Sequence, residues 1–394
     1  MRLLPWDYGI RNLLRRPLRT VLTALGLTLV VFLLLLVLGF LRSLDDSLRQ
    51  SGDEQVALIH NIIAADNLEN SSISDQLPTL INAELSSLLV NQDGVAALSP
   101  ELVIATILGD RSEGKIPRSA VLRGIRPEVF LVRRKAFIAD GNFPKNGEIL
   151  AGRLAAVKMG MPADELAVGK TVTIEGNVWT ISGHFAAPGT LLEAELWLPL
   201  DDLKLQMKRP TDISLVALRL RPEGDRREQM NELEYYCRYR RRDLEIMAIS
   251  ELDYYSSLHR HFQPMRALAW LMAVLIASAG ACGAINTMYA AVVGRVREFA
   301  ALQAVGFRRP AILVSLMQES VLLSAVATLS GVAFAVLVLQ GASIRFTMGA
   351  FDLRLDRPAL LLGCGTGLAL GVIGAVPPAL RAFRLSIVDA LKAV

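Results

Sequence analysis

Residues 295–310 read RVREFAALQAVGFRRP. The stretch is short, charged at both ends, and patterned like a helix. It lies between two runs with almost no charge. From 267 to 294 there is no Asp, Glu, Lys or Arg, and from 310 to 344 the only one is Glu319. Further out, residues 20–41 and 358–380 are also free of charge. Each run supplies the roughly 20 apolar residues that a helix needs to cross a hydrocarbon core of about 30 Å. An unpaired backbone group in lipid is costly, so each run is read as a helix. The expected architecture is a membrane protein with four transmembrane α-helices, one followed by three, and a large α+β extracytoplasmic domain between the first and second.

Lys and Arg near the span ends set the orientation. Arg2, Arg11, Arg15, Arg16 and Arg19 precede the first span. Arg295, Arg297, Arg308 and Arg309 separate the second from the third, and Arg381, Arg384 and Lys392 follow the fourth. These three regions are expected on the cytoplasmic side, with both termini inside. The reading divides the chain into 1–19 cytoplasmic, 20–41 first span, 42–265 extracytoplasmic α+β domain with helical stalks, 266–294 second span and 295–310 cytoplasmic loop. There follow 311–340 third span, 341–357 short outer loop, 358–380 fourth span and 381–394 cytoplasmic tail. The first span lacks a small-residue cleavage site, so it is read as an uncleaved anchor. The net charge of +4 then reflects the positive-inside bias, and nucleic-acid binding is excluded as a function class.

Within 42–265, residues 43–75 are expected to extend the first helix as a stalk and then loosen around NLENSSISD. Leu80, Ile81, Leu85, Leu88 and Leu89 fall at helical spacing before NQDG, and read as core. ELVIAT, SAVLRGI, ELWLPL, ISLVALRLRP and DLEIMAI read as strands. EILAGRLAAVKMGM reads as strand into helix, and KTVTIEGNVWTISGHF as a hairpin turning at EGN. REQMNELEYYCRYRRR is a helix, and Pro264 marks a kink before the second span. Strands and helices mix without a βαβ repeat, which fits α+β.

Motifs for chemistry are missing. There is no GxxxxGK[ST], no GxGxxG after a strand and no GxSxG. Cys237, Cys282 and Cys364 form no close pair, and His60, His184, His259 and His261 form no HExxH. No catalytic residue, no metal site and no bound cofactor are expected, and no polar cluster marks a catalytic site in the outer domain. Any work done draws its energy from a partner.

The stretch at 295–310 keeps Val296, Phe299, Ala300, Gln303, Ala304 and Phe307 near one helical face, suited to a groove on a partner or to the membrane interface. A tight cytoplasmic turn anchored by arginines is the plainer reading. Gly306 is expected to end the helix, with Pro310 in the first turn of the next. Gly363, Gly367 and Gly371 recur at every fourth residue, and Ala279 and Gly283 make a similar seam. Both permit close helix packing, within this subunit or with a second copy. Glu319 is the intramembrane charge, expected to face the bundle interior near the cytoplasmic side, paired with Arg or a helix end.

NTMYAAVVGRVREFAALQAVGFRRPAILVSLMQES, residues 286–320, resembles the cytoplasmic loop of MacB/FtsX-like (type VII) ABC transporter permeases. The matching positions are Arg297 and Glu298; Leu302, Ala304 and Gly306; Arg308 and Arg309; Glu319 and Ser320. RNLLRRPLRTVLTALGL is similar to the family's amphipathic N-terminal helix and first-span start. PPALRAFRLSIVDALKAV is similar to its closing element, with Ile387 at a usual proline and Asp389 at a usual glutamate. The resemblance implies a bacterial inner-membrane permease subunit whose 295–310 loop docks a separate ABC ATPase holding ATP and Mg. It implies motion passed along the stalks to the outer domain (mechanotransmission). It also implies a second permease copy, contact with membrane lipid, and a periplasmic adaptor in an efflux assembly. Lipoprotein or lipid extraction, and regulation of a cell-wall hydrolase in the manner of FtsX, are the alternatives.

Overall fold

The computed structural model describes residues 11, 13–15, 17–64, 67–108, 118–346 and 349–382. The remaining residues of the N-terminal region, and the tail from 383 with Arg384, Ile387, Asp389 and Lys392, lie outside the described residues. The chain divides into two compact units: one of 1–43, 264–342 and 353–394, the other of 44–263 and 343–352.

The first unit is built from four helices long and apolar enough to span a membrane: Pro17–Ser51, Gln263–Val293, Arg309–Leu339 and Arg357–Ala382. Leu, Val and Ala fill their interiors, and Pro310 sits at the start of the third, where a missing N–H costs nothing. Helix packing in lipid lacks a hydrophobic driving force and relies on small residues and polar contacts. The third and fourth helices show both. Ser320, Ser324 and Thr328 form a buried ridge on the third. The fourth receives it: a Cβ added at Gly371 would strike Ser324, and one at Gly367 would strike Thr328 and come within 3.0 Å of Val31. Ser320 Oγ donates to the Gly371 carbonyl at 2.6 Å. Gly363 lies against Leu35 of the first helix.

On the second helix, the seam read from the sequence faces out of this unit. Ala279 and Gly283 are exposed, with nothing within 4 Å of a Gly283 Cβ. Gly280 and Ala284, one residue further round, face inward: a Gly280 Cβ would lie 2.7 Å from Val30, and Ala284 meets Gly374. Spacing alone cannot fix which of two adjacent small-residue stripes faces the bundle. Gly367→Val is therefore expected to destabilise the folded chain in detergent by about 1–3 kcal/mol through overpacking. Gly283→Ala should leave its thermal unfolding unchanged.

The second unit carries a ten-stranded mixed sheet. Its strands are β1 (Val56–Asn61), β2 (Leu98–Leu108), β3 (Arg118–Ile125), β4 (Phe137–Gly141), β5 (Glu148–Gly152), β6 (Thr171–Ile174), β7 (Asn177–Ala186), β8 (Leu196–Pro199), β9 (Leu215–Arg219) and β10 (Ile246–Ser250). The order is β10-β1-β9-β2-β3-β8-β5-β7-β4, with β6 joining β7 and β2. The pairs β3–β8 and β5–β7 are parallel, the other named pairs antiparallel. Helix Leu77–Leu85 buries Leu77, Ile81 and Leu85 in the core, and Trp197 stacks on Phe185 with ring centroids 3.9 Å apart.

One expectation is corrected and two are made specific. Residues 56–61, expected as stalk and loosening chain, form β1, paired on both edges and buried over five consecutive residues. A short unbroken apolar run, VALIH, carries no alternation to mark it as a strand. The loop 341–357 contains a hairpin, Ser343–Phe346 with Gly349–Asp352, which belongs to this unit. Arg153 holds its Asp352 at 2.7 Å, and Lys158 Nζ donates to the Phe346 carbonyl at 2.8 Å. Pro264 falls in the first turn of helix Gln263–Val293, after the preceding helix Glu251–His261 has ended.

Candidate coupling site

The 295–310 stretch folds as a nine-residue helix, Val296–Ala304. Gly306, at φ +104°, closes it in a Schellman motif. The Gly306 N–H donates to the Gln303 carbonyl and the Phe307 N–H to the Leu302 carbonyl, each at 3.0 Å, so the last orphan carbonyls are satisfied. The chain then enters the third span helix through Arg308, in extended conformation.

The face expected to meet a partner is in large part turned inward. Val296, Phe299 and Ala300 are buried, and Gln303 and Phe307 are half-buried. Phe299 packs with Val292, Ile312, Leu316 and Ala379, and Leu302 and Phe307 join the same cluster. A short helix with one apolar stripe buries it in the nearest apolar surface, here its own bundle. The outward surface consists of Arg297, Glu298, Ala304, Gly306, Arg308 and Arg309, with Leu302 half-buried. At its tip stands Val305, 79% exposed, which the sequence reading passed over. An apolar side chain presented on a charged rim is a feature of contact surfaces.

Arg295 was also missed as a site residue. It is 9% exposed at the junction of second span and short helix. Its Nη1 donates to Glu319 Oε2 at 2.8 Å, its Nε reaches Glu298 Oε2 at 3.3 Å, and its guanidinium lies 5.2 Å from the Phe299 ring centre. Glu319 is thus buried and paired with Arg295, which fixes the start of the short helix to the third span. The signal was in the sequence: a lone carboxylate inside a span needs a nearby cation, and Arg295 and Arg297 stood across the turn. Glu319→Gln keeps a hydrogen bond but loses the charge. Polar contacts in membrane bundles are worth about 0.6–1.7 kcal/mol, so a loss of about 1 kcal/mol in detergent unfolding is expected. Arg15, Arg19, Thr287, Arg295 and Glu298 line a cavity of about 80 Å³ beside this pair.

A second charged constellation lies in the sheet unit. Arg123 Nη1 donates to Glu101 at 2.5 Å, and its Nε and Nη2 donate to Glu195 at 2.6 Å each. Arg133 grips Glu101 through Nε and Nη2 at 3.1 and 3.0 Å, and reaches Glu251 through Nη1. All five residues are at most 8% exposed. Burial alone would raise the Glu101 carboxyl, but Arg133 and Arg123 outweigh it and hold it below the ordinary carboxylate value. Burial prevails at Glu251 and pushes it up, against the pull of Arg133. Burial also raises the Cys237 thiol to about 12, which leaves it inert. These residues are scattered from 101 to 251, so no local spacing announces them. Among the described residues no group of three or more His, Cys, Asp or Glu is placed to hold a metal.

Four membrane-length helices in a one-plus-three order, an α+β domain between the first two and a charged helical turn after the second define a permease-type membrane chain. A MacB-like periplasmic core domain model matches residues 20–235, over half the chain, and an FtsX-like permease C-terminal model matches 270–387. The chain belongs to the MacB/FtsX-like family of ABC transporter permeases, multi-pass proteins of the bacterial inner membrane. The macrolide export ATP-binding/permease protein MacB of Burkholderia lata is 22% identical over 392 residues, 96% of this chain and 56% of that protein. The protein of the same name from Burkholderia cenocepacia matches to the same extent. The chain spans about half the length of the curated relatives it matches. Among solved structures, the periplasmic region of MacB from Actinobacillus actinomycetemcomitans has a TM-score of 0.39 at 12% identity, covering 55% of this chain and 97% of that one. The extracellular domain of the noncanonic ABC-type transporter YknZ from Gram-positive bacteria has a TM-score of 0.36 at 13% identity, covering 49% and 99%.

Proposed function

We propose that this chain is the non-catalytic permease subunit of an ATP-driven exporter, and that an ABC ATPase docks on the surface of Arg297, Glu298, Val305, Gly306, Arg308 and Arg309. The observation carrying this reading is the division of the short helix into two faces. One is buried in the chain's own bundle and tied to the third span through Arg295–Glu319. The other is exposed and ends in Val305. A segment held so firmly on one side transmits a push applied to the other. ATP and Mg reside on the ATPase, and both termini and the docking surface face the cytoplasm. ATP-driven motion reaches the outer domain by mechanotransmission rather than by opening a channel through the bilayer. The sparse ionisable groups in the spans favour this. Export is the direction stated in the name of the Burkholderia relatives. The open stripe at Ala279 and Gly283 supports a second permease copy, and a periplasmic adaptor completes the assembly.

The test is purification of the tagged chain in mild detergent with mass spectrometry of what accompanies it. An ABC ATPase together with an adaptor supports export. The ATPase with a lipoprotein carrier or a cell-wall hydrolase redirects the reading to extraction or to hydrolase control. Absence of any ATPase after gentle crosslinking removes the coupling reading altogether.

A further inference from the structure

The sheet unit contains the last turns of the first long helix and the whole of helix Glu251–His261, the element preceding the second span. In this unit the end of the one and the beginning of the other converge on a single turn, Val132–Lys135, sequence VRRK. Lys135 Nζ donates to the Gln50 carbonyl at 2.7 Å and reaches the Gly52 carbonyl at 3.5 Å, so a cation caps the C-terminal end of the first helix. Arg133 donates to Glu251, the first residue of the second element, and with its other two nitrogens to Glu101 of β2. The Val132 carbonyl accepts from Arg219 Nη1 at 2.8 Å, and the same nitrogen donates to Asp53 Oδ2 at 3.0 Å.

The two helix ends also meet each other. The Asp53 N–H donates to Glu251 Oε2 at 3.1 Å, and a Cβ at Gly52 would lie 2.9 Å from Leu252 Cα. Only glycine permits that backbone approach. A run of charges that solvent could have hydrated is instead spent on carbonyls and carboxylates at two helix ends. Buried ion networks add little net stability over apolar packing, and their best-attested use is to fix one geometry.

We infer that Val132–Lys135 is the bracket through which displacement of the two helices enters the sheet, with Arg133 and Lys135 as its positioning residues. Arg133 and Glu101 tie the bracket to the sheet, and Lys135 and Glu251 tie it to the helices. This rests on the coupling reading above, and it adds the point at which motion passes from helices to domain.

The experiment uses the full chain with its co-purified ATPase in lipid nanodiscs, with hydrogen exchange measured with and without Mg-ATP. In the wild type an ATP-dependent difference is expected at Gln50–Gln55 and also in the sheet, at Ile246–Ser250 and Leu98–Leu108. Lys135 is exposed, so Lys135→Ala should fold normally. It should retain the ATPase rate and the difference at Gln50–Gln55, and lose the difference in Leu98–Leu108. Lys135→Arg keeps a cation for the two carbonyls and should restore it. Arg133→Gln, if folded, should show the same loss as Lys135→Ala. Retention of the sheet response in Lys135→Ala overturns the bracket while leaving the coupling reading intact. Absence of any ATP-dependent difference at Gln50–Gln55 in the wild type overturns both.

Discussion

Gly306→Leu is expected to abolish stimulation of the partner ATPase by this chain while leaving the chain folded and membrane-inserted. The cause is backbone conformation and not crowding. Gly306 sits at φ +104°, where side-chain-bearing residues are strained by roughly 1–3 kcal/mol, and nothing lies within 4 Å of where its Cβ would be. The Schellman bonds from Gly306 and Phe307 depend on that angle. If they are lost, the short helix frays at its outer end, and Val305, Arg308 and Arg309 leave their common surface. The inner end stays pinned by Arg295–Glu319 and Phe299, so the damage is local. Because strain and not bulk is responsible, Gly306→Ala should be nearly as harmful as Gly306→Leu. Gly306→Asn should be milder, since Asn tolerates positive φ best among the others. Steady-state ATPase rates of the reconstituted complex decide the matter. Full stimulation by Gly306→Leu would remove this segment from the coupling path.

The sequence disclosed some parts of this site and not others, for physical reasons. The four spans were legible because lipid forbids charge over some twenty residues, a signal that no tertiary context overrides. Gly306 was legible because positive φ is a local demand met by one residue type. The hairpin at 171–186 was readable from its turn and its β-branched flanks: Glu175 and Gly176 both adopt positive φ between β6 and β7. What the short helix buries was not legible. Periodicity identifies an apolar stripe, but the same stripe serves a partner's groove or the chain's own bundle, and only the contacts of Phe299 with Ile312, Leu316 and Ala379 decide. The ion network was the least accessible. Glu101, Arg123, Arg133, Glu195 and Glu251 each look like ordinary surface charges in a local window, and are buried only because distant strands bring them together.

That network supplies the largest expected effect on stability. Arg123→Met should destabilise the outer domain by about 3–5 kcal/mol, the usual consequence of removing one partner from a buried ion group. Arg123 holds both oxygens of Glu195 and one of Glu101. Without it, among the described residues, the Glu195 carboxylate keeps only the Trp197 indole N–H at 2.9 Å, and the Glu101 carboxylate keeps only Arg133. The added substitution Glu195→Leu removes the stranded charge and should recover part of the loss, because apolar replacement of a whole buried pair is often close to neutral. The penalty should also depend on pH. Glu101, held below the ordinary carboxylate value by Arg133 and Arg123 against its burial, contributes stability that is present above that value and lost as pH falls through its lowered folded value. Glu251, raised by burial, acts in the opposite sense: its contribution is full below the ordinary value and lost as pH rises through the raised one. Arg123 touches Glu101 and not Glu251, so the difference between wild type and Arg123→Met should narrow as pH falls through the carboxylate range. Unfolding of the full chain in nanodiscs, followed by tryptophan fluorescence, to which Trp197 stacked on Phe185 contributes, reads both effects. A variant as stable as wild type at neutral pH, or a difference that widens in acid, would mean that Arg123 does not hold these carboxylates in the folded domain.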